Sequence, residues 1–254
     1  MSERLRALAE LVTPGRVVAD VGCDHGFLAI YLVKQGISPR VIASDVREGP
    51  LGAARAHVQE WGLSAYIETR LSDGLAGYQP REAETLVCAG MGGRLMQRIL
   101  TDSPDVVAGF RELILQPQSE LWQFRRFLRE RGFHVADENI LCEDGKYYFF
   151  FRVDCGHGAL AEGAERPSSV IQPRGAASDG EWERLGDKYG ALLLQRRHLV
   201  LREYLEKQLK QCQTVRAQLL GGRDIQGGSA RLERSLSENE AEIADLETAL
   251  SLYV

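Results

Sequence analysis

No stretch of the chain approaches the roughly 18 consecutive apolar residues that a membrane-spanning helix needs, so a helical membrane span is excluded. The opening Met1-Ser2-Glu3-Arg4-Leu5-Arg6 is charged and leads into helical spacing of Leu5, Leu8 and Leu11/Val12. It lacks the uninterrupted apolar core of a secretory signal, and a cytoplasmic protein is expected. Cysteine is scarce: Cys23, Cys88, Cys142, Cys155 and Cys212 are far apart, odd in number and without a C-x-x-C pair. That pattern indicates neither a disulfide framework nor a zinc site, and no metal is expected. An excess of positive charge is missing too, because 31 Lys and Arg stand against 36 Asp and Glu, a net charge of −5. Indiscriminate binding to phosphate backbones is disfavoured, which leaves room only for a local basic surface. What is present is the composition of a folded protein, 44% hydrophobic and 26% charged over 254 residues. At about 150 residues per domain, this allows one full α/β domain and a smaller companion.

Through residue 153 the chain alternates short β-branched runs with amphipathic stretches, the pattern of a mostly parallel sheet covered by helices. Strands are expected at Val17–Val21, Val41–Ser44, Tyr66–Leu71, Thr85–Ala89 and Glu112–Gln116. Helices are expected before the first strand, from Phe27 towards Gly36, at Leu51–Trp61, from about Arg94 to Leu100 and at Glu120–Arg131. Val135–Cys142 and Tyr147–Val153 flank the turn signal Glu143-Asp144-Gly145-Lys146, which suits an antiparallel hairpin closing the sheet. Residues 155–180, with five glycines and two prolines among Ala and Ser, read as a linker. Beyond it proline disappears, and residues 181–254 read as two helical arms, the first unbroken from about Trp182 to Leu220, joined by a glycine-rich turn at Gly221-Gly222 to Gly227-Gly228. Leu232, Leu236, Ile243, Leu246, Leu250 and Tyr253 recur at alternating steps of four and three, interrupted by Asn239, and Leu205, Leu209, Cys212 and Leu219 do so around Arg216. Such spacing predicts an antiparallel coiled-coil hairpin.

The strongest local signal is Asp20-Val21-Gly22-Cys23-Asp24-His25-Gly26, at the end of the first strand, where open α/β sheets bind ligands. A dinucleotide fingerprint would read G-x-G-x-x-G, but Asp24 stands at its second glycine and Phe27 at its third. A carboxylate facing a pyrophosphate is unfavourable, whereas an acidic loop suits S-adenosylmethionine (SAM), a phosphate-free sulfonium cation. Asp45 ends the second strand, where a carboxylate can accept both ribose hydroxyls, and Ser72-Asp73-Gly74 ends the third, where an aspartate can accept from an adenine amine. Ala89-Gly90-Met91-Gly92-Gly93 ends the fourth, in the place of a catalytic loop, and leaves backbone groups open to a flat base or the cofactor. The Asn/Asp-Pro-Pro-Tyr motif typical of methylation at exocyclic amines is absent, which shifts weight to a ring nitrogen. Taken singly, each aspartate also suits a helix cap or a turn.

Asp20–Phe27, Asp45-Val46-Arg47-Glu48-Gly49-Pro50, Asp73-Gly74-Leu75, Ala89–Gly93, Gln116-Pro117 and Glu143-Asp144-Gly145-Lys146-Tyr147 together resemble the bacterial tRNA (adenine-N1)-methyltransferases that modify adenine at position 22. The likeness runs through residues 1–153 and resumes more weakly at Lys188-Tyr189-Gly190-Ala191-Leu192-Leu193. It implies a Rossmann-like, class I SAM-dependent methyltransferase domain over residues 1–154, followed by a coiled-coil hairpin. The chain departs from the family pattern at Cys23, Gly26-Phe27 and Ala29, where Ser, Ala-Tyr and Pro are more usual. Phe27 thus lacks a hydroxyl for any hydrogen bond at that position.

Under this resemblance Asp20, Gly22, Asp24, Asp45, Asp73, Gly74, Ala89, Gly90 and Met91 are the expected cofactor contacts. Asp24, with His25 as its partner, is the catalytic candidate, because methylation makes the ring cationic and acidifies the exocyclic amine. Helix capping by Asp24 and simple packing of His25 are the competing readings. Between Lys188 and Arg223 eight basic residues face two acidic ones, whereas six acidic residues face two basic ones from Ser229 to Val254. Arg196, Arg197, Arg202 and Lys210 are the expected tRNA contacts, and pairing between the two arms is the alternative use of that charge. Arg125, Arg126, Arg129 and Arg131 read as a solvated helix face. Two other functions stay open on the sequence alone: methyl transfer to another RNA nucleotide or a small molecule, and RNA binding on a vestigial cofactor fold.

Overall fold

A computed structural model describes residues 1–156, 178–226 and 230–253, and the chain divides into two units, Met1–Pro167 and Ser168–Val254. The first unit runs α1 (Glu3–Leu11), β1 (Val18–Val21), α2 (Phe27–Lys34), β2 (Val41–Asp45), α3 (Glu48–Glu60), β3 (Ile67–Leu71), β4 (Thr85–Met91), α4 (Gly93–Asp102), α5 (Pro104–Val107), β5 (Glu112–Pro117), α6 (Leu121–Glu130), β6 (His134–Glu143) and β7 (Lys146–Asp154). All seven strands join one sheet in the order β3-β2-β1-β4-β5-β7-β6. β1 to β5 run parallel to one another, while β7 pairs antiparallel with both β5 and β6. This is the expected Rossmann-like sheet with an antiparallel last strand. Strand order reverses between β1 and β4, the switch point at whose strand carboxyl ends open α/β sheets form a binding crevice.

Every residue of β1, β2 and β5 is buried, as parallel strands covered on both faces require. Alternate positions serve opposite faces. Val18, Val41, Ala43, Val87, Ile114 and Phe150 pack with Leu8, Ile30, Leu32, Leu51 and Val58 from α1, α2 and α3. Their neighbour in β7, Phe151, meets Phe124 of α6 edge-on, with ring centroids 5.7 Å apart. α1 is fastened to β5 near both of its ends. Past its last turn, Thr13 donates through its backbone N–H and its hydroxyl to the buried Glu112 at 2.9 and 2.7 Å, and near its start Arg4 donates to Gln116 at 3.2 Å.

Several local expectations change in three dimensions. α3 begins at Glu48, three residues early, because Pro50 fits a first helical turn, where its missing N–H has no partner to lose. β4 continues to Met91 through a bulge between Ala89 and Met91, and α5 was not expected. Arg125 does not belong to a solvated face: it is buried, donates to Glu138 at 2.8 Å and lies over Phe149 and Phe151. Its aliphatic stem and planar head can be buried because a carboxylate and two rings receive them.

The second unit comprises α7 (Asp179–Leu185), a π-helical stretch Gly186–Gly190, α8 (Ala191–Gln195), α9 (Leu199–Gln226) and α10 (Ala230–Ser251). The first arm is therefore not one helix. It widens at the π-helical stretch, and it breaks where Arg197 takes a left-handed φ of 51°, a conformation that stops α-helical hydrogen bonding. The expected turn at Gly221-Gly222 is helical instead, since a helix already nucleated tolerates glycine at about 1 kcal/mol each. Gly227-Gly228 lie outside the described residues, as do residues 157–177 of the expected linker, whose last two residues begin α7. α9 and α10 pack together, and Tyr253 Oη donates to the carbonyl of His198 at 3.2 Å. Among the described residues no helix is long and apolar enough to cross a membrane.

Candidate functional site

The loop after β1 is hung on the end of β2. The N–H groups of Gly22 and Cys23 both donate to the Ser44 carbonyl, at 2.8 and 2.9 Å, and that of Asp24 donates to Asp45 Oδ2 at 3.3 Å. Asp45 Oδ1 accepts the Arg47 N–H at 2.9 Å, so each oxygen of this buried carboxylate keeps acceptor capacity beyond one backbone bond. Asp24 takes a φ of 50°, which Asp tolerates better than most residues. Its exposed side chain lies 3.7 Å from His25 Nε2. The structure thus brings Asp24, His25 and Asp45 together from two strand ends.

Asp20 lies beneath this loop. It is 4% exposed, and among the described residues its Oδ2 has no hydrogen-bond partner. Burial, and then the charge of Asp45, push its carboxyl up to about 7. An acid held this way is short of a positive ligand. Burial likewise raises the thiol of Cys23 far above its ordinary value, which makes it a packing residue and not a nucleophile.

Gly22, at φ 78°, faces Met91 across the crevice: a Cβ on it would meet the Met91 methyl carbon at 2.5 Å. The left-handed backbone favours glycine, and a side chain there would also displace the end of Met91. Met91 also sets its sulfur 3.4 Å from Cys88 Sγ, and its carbonyl accepts the Gln118 N–H at 3.0 Å. Ala89 and Gly90 complete the β4 end, with Gly90 exposed at φ 80°. Asp73 stands somewhat apart, its exposed carboxylate accepting from Arg98 of α4 at 3.2 Å, and Gly74 backs onto Ile99. Sequence reading missed Arg98, since no local pattern signals a contact made by packing α4 beside the β3 end. It also missed the exposed Val46 and Leu71, which border Asp45 and Ser72 and offer apolar surface to a flat ring.

The four basic candidates belong to the second unit, all of them exposed. Arg196 caps α8, Arg197 marks the break, and Arg202 and Lys210 lie on α9. Arg202 pairs with Glu206 one turn on at 2.8 Å, an exposed pair that contributes about a few tenths of a kcal/mol. Part of the arm's charge is taken up internally, as the alternative reading expected. Lys188 reaches Glu242 and Asp245 of α10, both at 2.6 Å, and Arg184 reaches Asp245 at 2.6 Å.

The donor set fits SAM: among the described residues buried Asp20 lacks a counter-charge, and Asp45 has acceptor capacity left. Among the described residues no cluster of His, Cys, Asp and Glu could hold a metal ion. The methyltransferase-domain family profile matches residues 1–151. The Bacillus subtilis tRNA (adenine(22)-N(1))-methyltransferase is 30% identical over 233 residues, which cover 92% of this chain and 91% of that protein. The solved B. subtilis m1A22 tRNA methyltransferase is 27% identical, with 98% of each chain covered and a TM-score of 0.79. A Streptococcus pneumoniae protein solved in complex with S-adenosyl-L-methionine is also 27% identical, with both chains covered in full and a TM-score of 0.76. An acidic crevice at the switch point of a Rossmann-like sheet and a likeness running nearly end to end agree: the chain belongs to the methyltransferase-domain family and, within it, to the bacterial tRNA (adenine(22)-N(1))-methyltransferases.

Proposed function

We propose that this protein methylates N1 of adenine 22 in tRNA, with SAM as cofactor. The observation that carries the reading is the near full-length kinship with a tRNA (adenine(22)-N(1))-methyltransferase, through both units of the chain. SAM supplies the methyl group as an electrophile on a sulfonium. Adenine N1 brings its own lone pair, so attack requires alignment more than deprotonation.

Asp20 and Asp45 hold positive charge and hydroxyl groups in the crevice, with Gly22, Asp73, Gly74, Ala89, Gly90 and Met91 along its rim. Asp24, oriented by His25, faces the charge that appears on the methylated ring, and either stabilises it or takes a proton from the acidified amine. The Watson–Crick edge of a base in folded tRNA is normally engaged, so the nucleotide has to be extruded and its backbone gripped elsewhere. Residues 1–154 form the methyltransferase domain, 155–180 connect, and 181–254 form the hairpin that supplies this grip. Burial of Leu205, Leu236, Ile243 and Leu246, and the return of Tyr253 to the start of α9, support an antiparallel coiled coil. A cytoplasmic location follows from the substrate.

The test is transfer of labelled methyl groups to unmodified bulk tRNA, followed by nucleoside analysis and mapping. The expected product is 1-methyladenosine at position 22, and its absence with active SAM-binding protein would refute the reading. In the same assay, Arg196, Arg202 and Lys210 are replaced by Gln, and Arg197 by Asn, which tolerates the left-handed backbone. The variant is expected to bind tRNA more weakly, with a salt slope reduced by about 0.7–0.9 for each phosphate no longer neutralised. Parental affinity and slope would leave the charge only a helix-pairing role.

A further inference from the structure

The hairpin of β6 and β7 extends beyond the sheet on the same side as the crevice. β5 and β7 pair from Glu112↔Asp154 to Leu115↔Phe151, so the start of β7, with Lys146 and Tyr148, overhangs the end of β5. α1 runs against the direction of β5, as its two fastenings show, and delivers Arg4 to the same place. The Arg4 guanidinium donates to the fully buried Gln116 at 3.2 Å, lies 5.6 Å from the Tyr148 ring centroid, and comes within 3.4 Å of where a Cβ on Gly90 would stand. Lys146 Nζ lies 5.4 Å from the same ring. Two cations from distant parts of the chain thus share one aromatic ring, and one of them, Arg4, stands beside the β4 loop.

Neither cation forms an ion pair within 4 Å among the described residues. The nearest carboxylate in register, Glu143, sits across the turn from Lys146, and it accepts the Glu3 N–H at 2.5 Å. One Arg4 N–H is used on Gln116, which fixes the plane of the guanidinium and leaves further donors in its fork for an anion. The Glu143-Asp144-Gly145-Lys146-Tyr147 motif, which the crevice chemistry does not use, acquires a purpose in this arrangement.

We propose that Arg4 and Lys146, held by Gln116 and Tyr148, form a phosphate clamp for the backbone of the extruded target nucleotide. The proposal rests on the tRNA-methyltransferase reading and adds positioning residues to it. Two cations on one ring, with Arg4 beside Gly90, suit a phosphodiester, whereas they would repel the methylated, cationic ring itself. The clamp therefore holds the backbone, and the base is left to the crevice.

The test uses the full-length protein and its Arg4→Gln, Lys146→Gln and double variants, with Arg4→Lys as the conservative control. For the double variant, KM for tRNA is expected to rise about tenfold or more, with a smaller change in kcat, and the slope of log Kd against log salt to fall by about 0.7–0.9 when the clamped phosphate is no longer neutralised. Affinity for SAM, measured by calorimetry, is expected to match the parent, and Arg4→Lys to recover part of the tRNA affinity. A merely structural role would lower thermal stability and SAM affinity without moving the salt slope, and that result would overturn the clamp. Parental KM and slope in the double variant would overturn it as well. Failure of the parent to methylate tRNA would instead overturn the functional reading on which the clamp rests.

Discussion

Asp20→Asn is expected to stabilise the cofactor-free protein at pH 8 while weakening SAM binding at least tenfold. The Asp20 carboxyl is raised from its ordinary 3.8 to about 7, first by burial and then by the Asp45 charge. A raised carboxylate binds its proton more tightly in the folded state. The stability held by the neutral form is therefore complete below pH 3.8 and is lost as pH rises to about 7. Over some three units the loss reaches about 4 kcal/mol at most. Asparagine does not titrate, so the gain over the parent should appear in denaturant midpoints at pH 8 and vanish near pH 4. SAM is cationic, and its binding favours the ionised carboxylate. Its affinity for the parent should thus increase as pH rises through about 7, with proton release on binding, and neither effect should survive in the variant. Calorimetry in buffers of different ionisation enthalpy measures both. Unchanged affinity with no proton release would remove Asp20 from the cofactor site.

Asp24→Asn should leave tRNA binding intact and lower single-turnover methylation by about 10² or more. Asparagine is the informative replacement, because it tolerates the φ of 50° that Asp24 adopts. It also preserves the Asp24 N–H bond to Asp45, so only the negative charge facing the product cation is removed. A structural contribution through the loop would persist in this variant. Near-parental turnover would therefore reduce Asp24 to a loop residue.

The sheet, the aspartates at its strand ends and the helical end of the chain were legible from the sequence, because each rests on short-range rules. Continuous apolar runs mark doubly covered strands, glycines mark backbone that side chains would block, and strand-end aspartates sit where the topology opens a crevice. Motif resemblance then named the chemistry, because the crevice residues lie in short contiguous segments. Tertiary structure decided what depends on distant partners. Arg125 looks like its three basic neighbours in sequence, yet it is buried because Glu138, Phe149 and Phe151 arrive from another part of the chain. Lys188 belongs by sequence to the basic arm, but Glu242 and Asp245 on α10 take up its charge. Arg4 is one charge among several in the amino-terminal helix, and only the packing of α1 against β5 carries it to Gln116 at the carboxyl end of that strand. Local patterns report the backbone a segment prefers, but the charge and neighbours of a long side chain are set by elements far away in sequence. Only the folded chain brings those elements together.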